Sequence, residues 1–246
     1  MSEVKRIPFN KSWWIPKRIF DYTVSFLGLV VLSPIIVGVA ALVRATSSGP
    51  VLFTQLRVGR YGKCFKCYKF RTMVTGADAL GSITTATDSR ITEVGKVLRR
   101  YKLDELPQLW NVLTGKMSFV GPRPDVPGYI DSLDGNDCQI LELLPGITGP
   151  ATLIFNDEAQ LLKEVNDTKA FNDQVIYPEK VRLNISYKER GSFFKDIGYI
   201  IGYIIATVAP RVTRWIRLDK RLGIDYKAFR NKMEEEVFRY NTGKML

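Results

Sequence analysis

The stretch LRRYKLDELPQLWN, from Leu98 to Asn111, sets Asp104 directly beside Glu105. Adjacent carboxylates repel, so the pair needs compensating charge nearby. Arg99, Arg100 and Lys102 precede it and Pro107 follows. Two chemistries suit the pattern. In one, Asp104 is the N-cap of a helix from Leu106 to Leu113, with Pro107 tolerated in the first turn. In the other, one carboxylate is a nucleophile and a divalent cation brings an anionic phosphate up to it. The two are compatible. Free N–H groups at a helix start favour an ionised carboxylate and also bind phosphate.

Cations able to handle a phosphate lie elsewhere in the chain. Lys69 and Arg71 fall in a strand-like segment, and Arg99 stands five residues before Asp104. Arg123 lies in GPRPDVPG, where Pro122, Pro124 and Pro127 fix an extended loop. An arginine fork grips phosphate bidentately, and a rigid loop aims it. Taken singly, each reads better as a solvated surface charge.

Composition narrows the choices. The 246 residues include 36 Lys and Arg against 25 Asp and Glu, a net charge of +11. That excess points to an anionic partner: nucleic acid, an acidic membrane surface or a phosphorylated substrate. There is no histidine, which removes the commonest general base and metal ligand. Cys64 and Cys67 form a C-x-x-C, but only Cys138 remains to help complete a four-ligand zinc site. The segment Lys63 to Arg71 reads as a strand, not as the strand-to-helix turn of a redox motif, so these read as reduced thiols.

The elements around these residues begin with a membrane segment. Tyr22 to Val43 runs without a charge, long enough as a helix, at about 1.5 Å per residue, to cross a bilayer core. Pro34 interrupts it, because it cannot donate to the carbonyl of Val30, and Ser33 can satisfy a freed backbone group. Both flanks are basic, with Lys17 and Arg18 before and Arg44 after. Positive charge marks the cytoplasmic side. A re-entrant helix that turns at Ser33-Pro34 and returns to one face suits this; a kinked crossing stays open. Trp13 and Trp14 sit where interfacial anchors would lie.

Between membrane segment and C-terminus the pattern is mixed. Strands are expected at Pro50–Gln55 and Cys64–Arg71 around a turn through Gly59 and Gly62. Helices are expected at Thr92–Arg100 and Leu106–Leu113, the latter ending at Gly115, with a strand at Ser118–Val120. LLPGITGP reads as turn, and DEAQLLKEV after Phe155 as a polar helix. Ser192 to Arg217 reads as an amphipathic helix on a membrane, followed by a short basic one; a core helix competes. The fold class is therefore α+β and mainly helical, with a small β element. Residues 1–48 form a basic segment and re-entrant helix, 49–190 a cytosolic catalytic domain, and 191–246 interfacial helices with a tail.

Four segments together resemble the bacterial sugar transferase family, the monotopic polyprenyl-phosphate phosphoglycosyl transferases. They are KRIFDYTVSFLGLVVLSPIIV, GPVLFTQLRVGRYGKCFKCYKFRTM, LRRYKLDELPQLWNVLTGKMSFVGPRPDVP and LLPGITGP. The resemblance covers roughly the first two-thirds of the chain and is closest to the family's minimal catalytic form. It implies transfer of a sugar 1-phosphate from a UDP-sugar to undecaprenyl phosphate. The implied route is ping-pong, through a phosphosugar on Asp104, with Glu105 as its partner and UMP released. It further implies Mg²⁺ contacted by Asp104, phosphate handling by Lys69, Arg99 and Arg123, and a helix break at Ser33-Pro34. The implied location is the cytoplasmic face of the cell inner membrane, among anionic lipids, with room for a homodimer. After PGITG the chain reads PATLIFNDEAQ, where many members carry a sequence of the type LAQVNGR, and the paired cysteines are not a family feature.

Two other classes are weighed against this. A membrane-tethered nucleic-acid binder would use the charge and the aromatics of GKCFKCYKFR. It gives Asp104 and Glu105 no role, since they would repel a phosphate backbone, so no nucleic-acid partner is expected. A non-catalytic scaffold of a glycan-assembly complex would be indifferent to Asp104.

Overall fold

Proline decides where the first helix stops. In the computed structural model, which describes residues 11–77, 88–156, 158–208 and 226–242, α1 spans Lys11–Val31 and α2 spans Ser33–Thr46. Their axes bend by 62° at the break. Pro34 leaves the carbonyl of Val30 without its helical donor, and the Ser33 hydroxyl donates to it at 2.7 Å. No single described helix is long and apolar enough to cross a membrane; the bent pair passes that test by length and composition together.

Helix α1 turns its polar side inward. Trp13, Lys17, Asp21 and Ser25, spaced one turn apart, are all buried, whereas Ile15, Ile19, Phe26 and Val30 are exposed. This corrects two expectations. Trp13 is not a lipid-facing anchor, because its indole donates to Asp196 at 3.0 Å. Lys17 is not a free flanking charge: its ammonium donates to the Val120 carbonyl at 2.8 Å and to Asp196 at 3.0 Å. Asp21 accepts from Arg18 and from the Phe119 backbone N–H.

Strands β1 (Leu52–Val58) and β2 (Cys64–Phe70) pair antiparallel, Leu52 opposite Phe70 and Val58 opposite Cys64. The connecting turn holds Tyr61 at φ 58° and Gly62 at φ 73°. Cys67 is buried and Cys64 exposed, both as free thiols. Helix α3 (Glu93–Arg100) is capped by Thr92, whose hydroxyl accepts from Gly95 N–H. Gly95 is required there, since a Cβ would meet the Thr72 carbonyl oxygen at 2.1 Å. Helix α4 (Gln108–Leu113) ends at Gly115, φ 77°.

Strand β3 (Ser118–Val120) pairs in parallel with β4 (Gly146–Thr148). That corrects the reading of LLPGITGP as turn alone: Ser118 N–H donates to the Pro145 carbonyl and Gly146 N–H to that of Pro122, drawing the segment into a ladder. Then come α5 (Pro150–Ile154), α6 (Glu158–Leu161), α7 (Thr168–Phe171), α8 (Tyr177–Arg190), α9 (Phe193–Val208) and α10 (Tyr226–Asn241). The polar helix expected over DEAQLLKEV is broken, α6 giving way to a 3-10 turn at Leu162–Glu164; Asp157 lies outside the described residues.

Helix α9 has two apolar sides. Tyr199, Gly202 and Ala206 are buried, while Phe194, Ile201, Ile204 and Val208 are exposed. The core-helix and surface-helix readings thus each describe one face. Asp196 is buried and accepts from Trp13, Lys17 and Tyr187. Helix α10 sends Met233 and Val237 into a core with Ile154, Phe171 and Ile176. The expected basic helix through Arg211, Arg214 and Arg217, and the extreme N-terminal segment, lie outside the described residues.

Candidate active site

The Asp-Glu pair does not start a helix. Leu103–Glu105 form a 3-10 turn, and α4 begins three residues later with Pro107 as its N-cap residue. Lys102 enters the turn in the left-handed region, φ 56° and ψ 21°, a conformation that costs a non-glycine residue energy. It reverses the chain sharply enough for Glu105 N–H to donate to the Lys102 carbonyl. Both carboxylates are buried, Asp104 at 6% and Glu105 at 5% exposure.

Their surroundings differ. Glu105 Oε1 accepts from Lys69 Nζ and from Arg123 Nη2, each at 2.9 Å. Its Oε2 accepts from the Tyr203 hydroxyl at 3.0 Å. Asp104 Oδ1 is buried with no hydrogen-bond partner. The expected cap interaction is therefore absent, because the turn leaves Asp104 no helix N–H groups to accept from.

The electrostatics follow the geometry. Burial and the neighbouring Glu105 push the Asp104 carboxyl above the usual carboxylate range, against the pull of Lys69, Lys102 and Arg99. This corrects the expectation that a helix start favours its ionised form. Burial acts on Glu105 in the same direction, but Lys69, Arg123 and Lys102 outweigh it and hold Glu105 well below its ordinary value. One member of the pair is a neutralised anion, and the other a desolvated carboxyl with a bare oxygen.

Four elements set these positions. β2 supplies Lys69, the proline-rich loop after β3 supplies Arg123, α9 supplies Tyr203, and the turn supplies the acids. Asn111 fixes α4 to β2: its Oδ1 accepts from Tyr68 N–H at 3.1 Å and its Nδ2 donates to the Lys66 carbonyl at 2.8 Å. That mimics a strand pairing one residue away from Lys69. Arg99 lies on α3, donates to Thr72 Oγ1 at 2.8 Å, and acts on Asp104 through its charge.

Arg71 is placed apart from this group. It is buried, and its Nη2 donates to the Ser47 carbonyl and hydroxyl at the end of α2. A cation there complements the negative end of the helix. Conversely, Lys102, which the sequence reading notes only as an upstream charge, and Tyr203, which it does not single out, lie close to the pair. The available signal for Tyr203 was a phenol in an apolar helix, which needs a partner for its hydroxyl.

Among the described residues no three His, Cys, Asp or Glu side chains converge to hold a metal ion.

Residues 12–211 match the family model described as bacterial sugar transferase. The chain is 37% identical over 183 residues to the sugar transferase EpsL of Bacillus subtilis, covering 74% of this chain and 82% of the relative. It is 31% identical over 211 residues to the exopolysaccharide production protein ExoY of Rhizobium meliloti, 79% of this chain and 86% of the relative. It is 36% identical over 229 residues to the UDP-glucose:undecaprenyl-phosphate glucose-1-phosphate transferase of Klebsiella pneumoniae, covering 92% of this chain but 42% of that longer protein. With the match running through α1, the Asp-Glu turn, the Arg123 loop and α9, this chain belongs to the bacterial sugar transferase family and is a transferase.

Proposed function

We propose that the protein transfers a sugar 1-phosphate from a UDP-sugar to undecaprenyl phosphate, with Asp104 as nucleophile. The observation that carries this is the division of labour in the pair. Three donors occupy Glu105, leaving Asp104 as the carboxyl with an unengaged oxygen. In the first step an Asp104 oxygen attacks the sugar-bearing phosphorus of the donor. The bond to the second phosphate breaks, its electron pair leaves with UMP, and a phosphosugar remains on Asp104. In the second step an oxygen of undecaprenyl phosphate attacks that phosphorus, and the Asp104 carboxylate is released. The acceptor is already ionised near neutral pH, so the lack of histidine is no obstacle.

A diphosphate repels a carboxylate, and the site must counter that. Lys69, Lys102, Arg99 and the half-exposed Arg123 supply fixed positive charge around the turn. The orphan oxygen of Asp104 fits a role as a ligand that would hold Mg²⁺. When bound, Mg²⁺ supplies charge neutralisation for the diphosphate and the departing UMP.

The outward apolar residues of α1 and α9, with Ile35, Val37 and Leu42 on α2, support a reading as a re-entrant anchor on the cytoplasmic face of the inner membrane, with α9 at the interface and anionic lipids around the basic flanks. That geometry holds the pair at headgroup level, where a polyprenyl phosphate presents its charge. Two copies sharing the lipid-embedded surface would give a homodimer.

The test is a donor screen. Purified protein with Mg²⁺, undecaprenyl phosphate and a panel of UDP-sugars should release UMP with one of them. Mass spectrometry of the reaction without acceptor should find the phosphosugar on Asp104. Absence of UMP with every donor would sink this reading.

A further inference from the structure

A second cavity lies away from the Asp-Glu pair. It has a volume of about 440 Å³ and is walled by α5, α8, the start of α9 and α10. That size suits a small ligand. The α10 wall belongs to sequence beyond the residues matched by the family, which end at 211.

Its lining is unbalanced in charge. Arg182, Arg190, Lys195 and Lys232 face one carboxylate, Glu179. Glu179 is already engaged: Arg182 donates to it through Nε at 2.9 Å and Nη2 at 2.5 Å, and Lys232 sits 3.4 Å away. Arg190 and Lys195 have no acidic partner among the described residues, and the Lys195 ammonium donates to the Arg190 carbonyl at 3.0 Å. A guanidinium fork and an ammonium lining the same cavity are suited to a phosphate oxygen cluster. Ile154, Leu183 and Phe229 add apolar surface to the wall, beside the polar Ser186. The cavity therefore offers both positive charge and apolar contact.

The neighbouring surface says which amphiphile fits. Lys195 follows Phe194, which is 85% exposed and starts the outward apolar stripe of α9 through Ile201, Ile204 and Val208. We infer that the cavity between α8, α9 and α10 binds a phosphate ester, and that its source is the headgroup of an anionic lipid lying against α9. None of the cavity residues touches the Asp-Glu pair, and the binding is measured without turnover, so this inference and the proposed activity fail separately.

The experiment titrates the full-length protein with short-chain phosphatidylglycerol, and in a separate arm with inorganic diphosphate. The double variant Arg190→Gln, Lys195→Gln should weaken phosphatidylglycerol binding about tenfold, as expected for losing two cations near an anionic headgroup. The same charge change at the exposed Lys163 and Lys169 should leave it within about twofold. Ser186→Phe fills the cavity without altering charge and should weaken binding like the double variant. Equal losses from both lysine and arginine sets, or no loss in the cavity variants, overturn the site. Diphosphate binding that depends on Arg190 and Lys195, with phosphatidylglycerol unaffected, overturns the lipid source.

Discussion

Tyr203, on a helix near the end of the described chain, donates its hydroxyl to Oε2 of Glu105 at 3.0 Å. The phenol thus joins the surface helix α9 directly to the acidic turn. Burial and Glu105 both push the Tyr203 hydroxyl to lose its proton less readily, which keeps it a donor near neutral pH. Tyr203→Phe deletes only that bond. A hydrogen bond to a charged group contributes about 1.5–3 kcal/mol, and unfolding in denaturant should show a loss of that order. UMP release should fall about tenfold as Glu105 loosens.

Asp104→Asn separates nucleophile from structure. It removes a buried charge that repels Glu105 and accepts no hydrogen bond at Oδ1. Thermal unfolding at neutral pH should occur at the same temperature or higher, while UMP release disappears. Retained turnover would favour the scaffold reading. A large drop in stability would show that Asp104 is a structural cap after all.

Glu105→Gln should move the pH profile in a set direction. In the proposed route Asp104 must be ionised to attack, and its carboxyl is raised by burial and then by Glu105. Activity therefore rises with pH through the elevated Asp104 value, above the ordinary 3.8. Removing the Glu105 charge lowers that value and leaves Lys69 and Arg123 unpaired beside Asp104. The acid limb of kcat against pH should shift to lower pH, even though the maximum falls. A shift the other way would mean the limb reports a different group.

Stability in acid tests Glu105 itself. Its folded value lies below the ordinary 4.5. Its contribution is present above 4.5 and is lost as the pH falls through the depressed value. Wild type should lose stability over that window, and Glu105→Gln should show a flatter curve from denaturant midpoints measured across it.

Topology is checked by labelling. In a variant lacking Cys64, Cys67 and Cys138, single cysteines at the exposed positions Ile15 and Ser48 lie on either side of the uncharged run Tyr22–Val43. A membrane-impermeant thiol reagent should reach both from the same side. Labelling from opposite sides would replace the re-entrant hairpin with a kinked crossing.

Much of the site was legible because its chemistry is local in sequence. Asp104 with Glu105, the stiffened Arg123 loop and the Ser33-Pro34 break each announce themselves within a few residues. What escaped depends on contacts made by distant segments. The environment of Asp104 was misread because a left-handed Lys102 turns the chain into a 3-10 turn where cap residues and proline suggested a helix start. Tyr203 meets Glu105, and Asp196 meets Lys17, only once α9 folds back. Charge alone could not distinguish Arg71, which anchors the end of α2, from Lys69, two residues earlier, which reaches Glu105. The β3–β4 ladder escaped because a three-residue parallel strand carries no periodicity to read.

The Lys17–Asp196 joint also has a timetable. Its halves are 179 residues apart, and at roughly 5–20 residues per second a ribosome needs about 10–35 s to make that much chain. Throughout that interval Lys17 lacks Asp196. It can meet the Val120 carbonyl earlier, but its buried ammonium gains that counter-ion only when α9 emerges and docks. The joint is thus a late closure that ties the first described helix to chain made long after it.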